Sequence, residues 1–404
     1  MPTRNIKAQH TLTVALVGVT GYANMYVDRL VSYHRNGRIR LQAATVINPS
    51  EASEACHVLH EIGCRIYSDF EKMIAEESGR IDLCAIPTGI HLHCPMTIAA
   101  LNAGMNVLVE KPLTARADEA RMMVEARNRS GLEIFVGFQT MFNRSLWETK
   151  DLLTRQKFGR VKMIKSIALW PRPTTYYTRN NWAGKLSVGP NTIFDSPVNN
   201  AMAHFVMMPL FLSGKDIENT ASIVQLEADA FRAQNIESFD TFSARATTNN
   251  GIELLFNFSH STQERYRPTI EVVCEGGTLQ WFENENYRYP DPDKVSAHST
   301  RIEPVDARTE MFENIFNRLQ NRPGNCCTVD HAMAHTEFVN HLHHDLIVAE
   351  VPKNQISSEI RNGLSYSFVP GLGEQMFHSH QSGEILSQVI PNWIHELLNT
   401  IPVK

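Results

Sequence analysis

The chain predicts an α/β plus α+β fold class: a doubly wound parallel domain followed by a domain built on a large, mostly antiparallel, open-faced sheet. Three observations carry that expectation. Residues 12 to about 137 alternate short apolar strands with amphipathic helices over short connections. After about residue 140 the texture changes to long alternating runs joined by hairpin signals. The 404 residues, 43% hydrophobic and 20% charged, are enough for two packed cores. The expected domains are 1–140 and 141–404.

In the first domain, Leu12–Gly18 reads as a strand, Tyr22–His34 as a helix and Ile39–Ile47 as the second strand. Ser68 and Glu71 form a capping box, each placed to satisfy a free amide at a helix start. Ile81–Ile86, Asn106–Val109 and Glu133–Gly137 follow as strands. Between them a helix over Pro95–Ala103 stops at Gly104, and another begins near Ala117-Asp118-Glu119. The second domain opens with a helix over Leu146–Gln156. Its expected strands are Lys162–Trp170, Ala221–Ala230, Thr241–Thr247, Ile252–Ser259, Thr269–Cys274 and Thr278–Phe282. Asn249-Asn250-Gly251 and Glu275-Gly276-Gly277 read as hairpin turns. Helices return from Glu310 and end with Leu386–Leu398.

A net charge of -5, a pI near 6.4 and the lack of dense Lys/Arg runs argue against a nucleic-acid partner. Met1–His10 lacks the apolar core of a signal peptide, and Phe205–Leu212, the most apolar stretch, is far shorter than a membrane span. No membrane association and a cytoplasmic location are expected. Seven scattered cysteines without a Cys-x-x-Cys pair fit reduced thiols. His331 and His335 are one helical turn apart, with His341, His343 and His344 beyond. No zinc-ligand spacing is present, so a polar helix surface is the favoured reading and no metal is expected.

Gly18-Val19-Thr20-Gly21-Tyr22-Ala23 lies between the first strand and the first helix. There a G-x-G-x-x-G/A loop presents backbone amides and a helix N-terminus to a pyrophosphate. Gly18 and Ala23 fill the first and third roles; Thr20 takes the second, with Gly21 beside it. The second strand runs out through Val46-Ile47-Asn48-Pro49-Ser50 with neither an acid for a ribose hydroxyl nor an arginine for a 2′-phosphate; Asn48 could serve either cofactor, so NAD and NADP both stay open. Asn106–Val109 runs into Glu110-Lys111-Pro112, placing a cation at the carboxyl edge of the sheet, where open α/β folds bind ligands.

Farther on, Ser196-Pro197 has the form of a helix start, which would put Asn200 and His204 on one face. The segment from Trp170 to Trp182 gathers Tyr176, Arg179, Asn181 and Trp182. Its aromatic faces and polar groups suit the C–H faces and hydroxyls of a sugar, or else a covering arm or subunit contact.

Taken together these motifs resemble the glucose-fructose oxidoreductase / inositol dehydrogenase (Gfo/Idh/MocA) family, from residue 12 to about 280. The resemblance implies an N-terminal Rossmann domain that binds NAD or NADP and a Lys111 beside both nicotinamide and substrate, the Lys-Pro bond often being cis. Ile86-Pro87-Thr88-Gly89-Ile90-His91 is similar to the family's Thr-Pro-Asn-x-x-His turn past the nicotinamide ribose, with Thr88 at the asparagine position. Glu110 falls in the cofactor loop. The family's Asp-x-x-x-His matches Asn200 and His204, so His204 takes the place of the acid/base histidine, and Asp195 is the nearest substitute carboxylate. The implied activity is hydride transfer between a secondary hydroxyl of a sugar, cyclitol or sugar derivative and nicotinamide. Alternatives are an NAD-dependent glycoside hydrolase using transient redox and a non-catalytic nucleotide-binding regulator. The resemblance also implies a homodimer or homotetramer formed through the C-terminal sheet.

Overall fold

The computed structural model describes residues 11–283, 287–289, 298–299 and 306–390. The chain divides into two compact units, Met1–Asn143 with Val305–Thr336 and Arg144–Pro304 with Glu337–Lys404. The first boundary thus falls three residues beyond the expected position 140. The stretch 306–336, expected in the second domain, packs with the first.

In the first unit the chain runs β1 (Leu12–Val17), α1 (Asn24–Arg35), β2 (Ile39–Thr45), α2 (Ser53–Glu61), β3 (Arg65–Tyr67), α3 (Phe70–Glu77), β4 (Leu83–Ile86), α4 (Ile90–Asn102), β5 (Asn106–Val109), α5 (Ala117–Ser130) and β6 (Ile134–Val136). The strands form one parallel sheet in the order β3-β2-β1-β4-β5-β6. Every residue of β4, β5 and β6 is buried, as a parallel sheet covered on both faces requires. The strand order reverses between β1 and β4, which makes the carboxyl ends of these strands the crevice where ligands enter such folds.

Two local expectations shift. Asp69, not Ser68, caps α3, its carboxylate accepting from Lys72 N at 2.7 Å. An acceptor one residue nearer the helix reaches that amide first. And α4 starts at Ile90, five residues before Pro95, which sits inside it.

The helix Ala307–Leu319 belongs here because its aromatic stripe finds partners on α1. Phe312 meets Tyr26 edge-on at 5.4 Å between centroids, and Phe316 meets Tyr33 at 5.3 Å. Arg38 joins Glu313 at 3.0 Å. Val136 N donates to Cys327 O at 2.9 Å, extending the sheet edge.

The second unit opens with α6 (Arg144–Thr154) and β7 (Val161–Leu169), then a small hairpin, β8 (Ser187–Val188) and β9 (Asn191–Thr192), and α7 (Ala203–Leu212). β10 (Ile223–Arg232), β11 (Thr241–Thr248), β12 (Glu253–Ser259), β13 (Tyr266–Cys274) and β14 (Gly277–Phe282) follow. Among the described residues the sheet has nine strands. In order they are His298–Ser299, Arg288–Tyr289, β14, β13, β7, β12, β11, β10 and Ala349–Glu350. Neighbours are antiparallel except β7 with β12 and β10 with Ala349–Glu350. Both hairpin turns form where the sequence places them, Thr248 N bonding Ile252 O and Cys274 pairing with Gly277.

A second hairpin, Ser357–Arg361 with Leu364–Phe368, has no counterpart in the sequence reading. The helix Leu372–Ser382 covers one sheet face through a core of Leu372, Met376, Ile167 and Leu169. Of the expected last helix, Leu386–Val389 is helical and 391–398 lie outside the described residues.

Candidate functional site

In the first unit the loop after β1 starts at Gly18 (φ 85°) and continues through Gly21 (φ 61°), a left-handed path that L side chains rarely adopt. A Cβ on either glycine would meet nothing within 4 Å, so the space over the loop is open. Among the described residues the amides of Val19 and Thr20 find no backbone or side-chain acceptor, while Gly18 N is tied to Thr45 O at 2.9 Å. An anchored turn with unsatisfied amides just before a helix is a fit for the pyrophosphate of a dinucleotide. Ala23 is buried; Thr20, Gly21 and Tyr22 are exposed.

Asn48 stands exposed beyond β2. Its amide donates to Glu51 Oε1 at 3.4 Å, so the first acid past the strand lies beside it. The sequence reading of this strand end stopped at Ser50 and missed Glu51, which the chain brings back through the single helical turn Pro49–Ala52.

Glu110 follows β5, but its carboxylate points into the interior. Oε1 accepts from Tyr26 Oη at 2.8 Å and from Gln139 Nε2 at 3.0 Å; Oε2 accepts from Lys111 N at 2.8 Å. Burial pushes its carboxyl up, and the neighbouring charge of Lys111 and the Tyr26 hydrogen bond oppose that shift. Gly137 is required for this arrangement, since a Cβ there would sit 2.8 Å from Glu110 Oε1. Gln139 Nε2 also reaches Tyr22 Oη at 3.0 Å, and although the residue as a whole is exposed, desolvation of that hydroxyl followed by the Glu110 charge raises the phenol to about 12. The loop residues Tyr22 and Lys111 are therefore braced on one buried carboxylate. The Lys111–Pro112 bond is cis.

Pro87, Thr88 and His91 lie at the junction of β4 and α4; Pro87 is buried and His91 exposed over Gly89. The residue that joins this turn to the lysine loop is His93, to which the sequence reading gives no role. Its Nδ1 lies 2.9 Å from Pro112 O, and its Nε2 lies 3.1 Å from Thr88 O. Burial lowers its pKa against three backbone hydrogen bonds that raise it. In the neutral ring one nitrogen donates and the other cannot, so the clamp holds one carbonyl by a hydrogen bond and the other by packing. Only its place at helical spacing from Thr97, Ala100 and Leu101, which are buried with it, could have flagged it.

In the second unit Ser196-Pro197 starts a series of turns rather than the helix. Met202 N bonds Pro197 O at 2.8 Å, and α7 begins at Ala203. The Ser196 hydroxyl is 3.2 Å from His343 Nε2 instead of capping. Asn200 is therefore on the turn and His204 in the first helical residues, both half-buried. Asp195 is buried; Oδ2 accepts from Gly184 N at 2.6 Å and Oδ1 from Asn200 Nδ2 at 2.7 Å. The carboxylate thus lies against the asparagine that stands in the aspartate position.

Tyr176 packs edge-on to Tyr177 at 5.1 Å, and Arg179 lies over the Tyr176 ring at 3.7 Å and the Trp182 ring at 5.0 Å. Asn181 is exposed, its neighbour Asn180 accepting from the amides of Trp182 and Ala183. Tyr176, Tyr177, Asp195, Ser196 and His260 line one pocket. Among the described residues no three His, Cys, Asp or Glu side chains gather to hold a metal, and His343 stacks on Phe194 at 4.5 Å. All seven cysteines are buried and free.

A six-stranded parallel sheet with a glycine-bent loop of open amides at its strand-order reversal defines a Rossmann-type dinucleotide-binding protein. The chain belongs to the Gfo/Idh/MocA oxidoreductase family: residues 12–138 match the model described as "Oxidoreductase family, NAD-binding Rossmann fold" and residues 146–280 match the "GFO/IDH/MocA C-terminal domain". It is 31% identical over 171 residues to dTDP-3,4-didehydro-2,6-dideoxy-alpha-D-glucose 3-reductase of Streptomyces violaceoruber, covering 41% of this chain and 48% of that protein. To the inositol 2-dehydrogenase of Rhodococcus erythropolis it is 26% identical, over 66% of this chain and 70% of that protein. Its fold is similar to the WlbA dehydrogenase of Bordetella pertussis, solved with NADH and UDP-GlcNAcA. The TM-score is 0.67 at 22% identity, over 83% of this chain and 96% of that one. No helix among the described residues is long and apolar enough to cross a membrane.

Proposed function

We propose that the protein is an NAD-dependent oxidoreductase that transfers a hydride between a secondary hydroxyl of a sugar, cyclitol or sugar derivative and nicotinamide. The observation that carries this reading is the braced lysine loop: Lys111 at the carboxyl edge of β5, fixed by Glu110 below and by His93 behind, on the same sheet edge as the open-amide turn after β1 and separated from it only by β4. Bound nicotinamide supplies the hydride acceptor. Gly18, Thr20, Gly21 and Ala23 form the turn for the pyrophosphate, and Pro87, Thr88 and His91 form the turn for the ribose. Lys111 holds the substrate hydroxyl and stabilises the developing alkoxide. His204 takes the hydroxyl proton, with Asn200 positioned by Asp195. The Glu51 carboxylate beside Asn48 opposes a 2′-phosphate and supports NAD over NADP. Tyr176, Arg179, Asn181 and Trp182 form the sugar-facing surface.

We place the protein in the cytoplasm as a homodimer or homotetramer formed through the second unit's sheet. The seven free thiols support the location and the family membership supports the assembly. Lys111→Met and His204→Ala test the roles: each variant is expected to lose most turnover while retaining NADH binding. Full turnover in both, measured as NADH formation, contradicts the assignment.

A further inference from the structure

The second unit contains a cluster of cations and donors of which the reading above uses only Tyr176 and Arg179, as part of the sugar-facing surface. Past β7, Trp170 N bonds Ser259 O at 2.9 Å and Arg172 N bonds His260 O at 3.0 Å, which fixes these residues side by side. The Arg172 guanidinium lies over the Trp170 ring at 5.3 Å and the Tyr176 ring at 4.8 Å. Arg179 lies over the same Tyr176 ring, its Nη1 donating to the Tyr176 carbonyl. One tyrosine ring thus carries two guanidinium groups. Arginines elsewhere in the protein, such as Arg29, Arg127 and Arg245, meet carboxylates within 2.7 Å. Among the described residues neither Arg172 nor Arg179 has an ion-pair partner.

Three buried nitrogens in this cluster also have no hydrogen-bond partner: Arg172 Nε, Trp170 Nε1 and His260 Nε2. Buried donors are almost always satisfied, so three together mark a place where an acceptor is missing. His260 is 3% exposed and lines the pocket with Tyr176, Tyr177 and Asp195. Its Nδ1 is 3.2 Å from Tyr177 Oη. When that hydroxyl donates, Nε2 carries the ring proton and becomes a donor in a neutral imidazole. Burial, followed by the charges of Arg172 and Arg179, holds the ring neutral well below the usual histidine range. The Asp195 carboxylate, the acid of this pocket, is held by Gly184 N and Asn200.

We propose that Arg172, Arg179 and His260 bind an anionic group of the substrate, a carboxylate or a phosphate ester, so that the preferred substrate is an acidic sugar derivative rather than a neutral sugar or cyclitol. Arg172 is the central contact, placed over two aromatic rings, and a guanidinium fork can meet two oxygens at once. The identification as a sugar derivative rests on the oxidoreductase reading; the anion site does not.

The test uses the full chain with NAD and three probes: D-glucose, D-glucuronate and glucose 1-phosphate. Turnover is read as NADH, and binding is read separately by calorimetry without turnover. The expected result is binding of glucuronate or glucose 1-phosphate at least about tenfold tighter than glucose, a preference that Arg172→Gln removes and Arg172→Lys partly restores. Arg179 is exposed, so Arg179→Gln provides a variant whose folding is insensitive to the change and is expected to reduce the same preference. Which anion binds distinguishes carboxylate from phosphate. Equal affinity for all three probes, or loss of glucose and anion binding by the same factor in Arg172→Gln, overturns the inference. NADH from glucose without an Arg172-dependent preference leaves the oxidoreductase reading standing and this one refuted. Arg172-dependent anion binding without NADH from any probe does the reverse.

Discussion

Replacing Glu110 tests how the lysine loop is held. The carboxylate accepts from the Tyr26 hydroxyl, the Gln139 amide and the Lys111 amide, all inside the first unit. In Glu110→Gln the side-chain oxygen can serve one side only, so the new NH2 group faces either Lys111 N–H or the Tyr26 and Gln139 donors. Leaving a buried donor unsatisfied costs about 1–3 kcal/mol, and relief of the burial strain on the carboxylate returns part of it. The expected net loss is about 1–2 kcal/mol for Glu110→Gln. For Glu110→Ala, which strands donors on both sides and opens a void, it is about 2–4 kcal/mol. Urea denaturation gives the stability, and fluorescence titration with NADH gives the affinity, which should fall in parallel because Gln139 and, through it, Tyr22 beside the glycine turn lose their anchor. Tyr26→Phe combined with Glu110→Gln should be less than additive by at least about 0.5 kcal/mol. A Glu110→Gln protein within about 0.5 kcal/mol of wild type, with additive behaviour alongside Tyr26→Phe, refutes the brace.

Three further outcomes follow from the same structure. His93→Ala frees the Thr88 and Pro112 carbonyls and should weaken NADH binding several-fold while costing about 2 kcal/mol in urea melts; an unchanged NADH affinity would sink the clamp. Glu271, opposite Lys165 in the β7–β13 ladder, is held well below its ordinary value near 4.5 by the His380 hydrogen bond and then by Lys165. A depressed folded-state pKa gives stability that is present above about pH 4.5 and lost as pH falls through the folded value, so the deficit of Glu271→Gln should be largest at neutral pH and shrink in acid. A deficit that does not vary with pH excludes this linkage. Finally, Glu51→Ala should raise NADP use relative to NAD, read as the ratio of kcat/KM values, by roughly threefold to tenfold.

Much of the fold was legible because local signals were complete. β5 was read with its true limits from a short apolar run between Gly104 and Pro112. The six long strands of the second unit were each found within a few residues because alternation over six to ten positions leaves little choice of register. β3, with three residues, and the Ser357–Phe368 hairpin, half exposed, carry too little periodic pattern to read. The start of α7 was misread because Ser-Pro is as good a turn start as a helix start, and only the capture of Ser196 by His343 decides between them. At the site, the glycine loop and Lys111 were visible as motifs. Glu110 was read with that motif as a cofactor-loop residue, but its inward turn to Tyr26 and the hold of His93 on Pro112 were not legible, since those partners lie 84 and 19 residues away in sequence. The anion cluster was invisible for the same reason: Arg172 and His260 meet only through strand pairing.

The most direct measurement of the central claim is isotopic. A substrate from the sugar panel carrying deuterium on the carbinol carbon is incubated with NAD, and the reduced nicotinamide is examined by mass spectrometry. The account predicts one deuterium at nicotinamide C4 per molecule of ketone formed, abolished in Lys111→Met. Glycosidic cleavage without net NADH, or NADH-free binding across the whole panel, would contradict it.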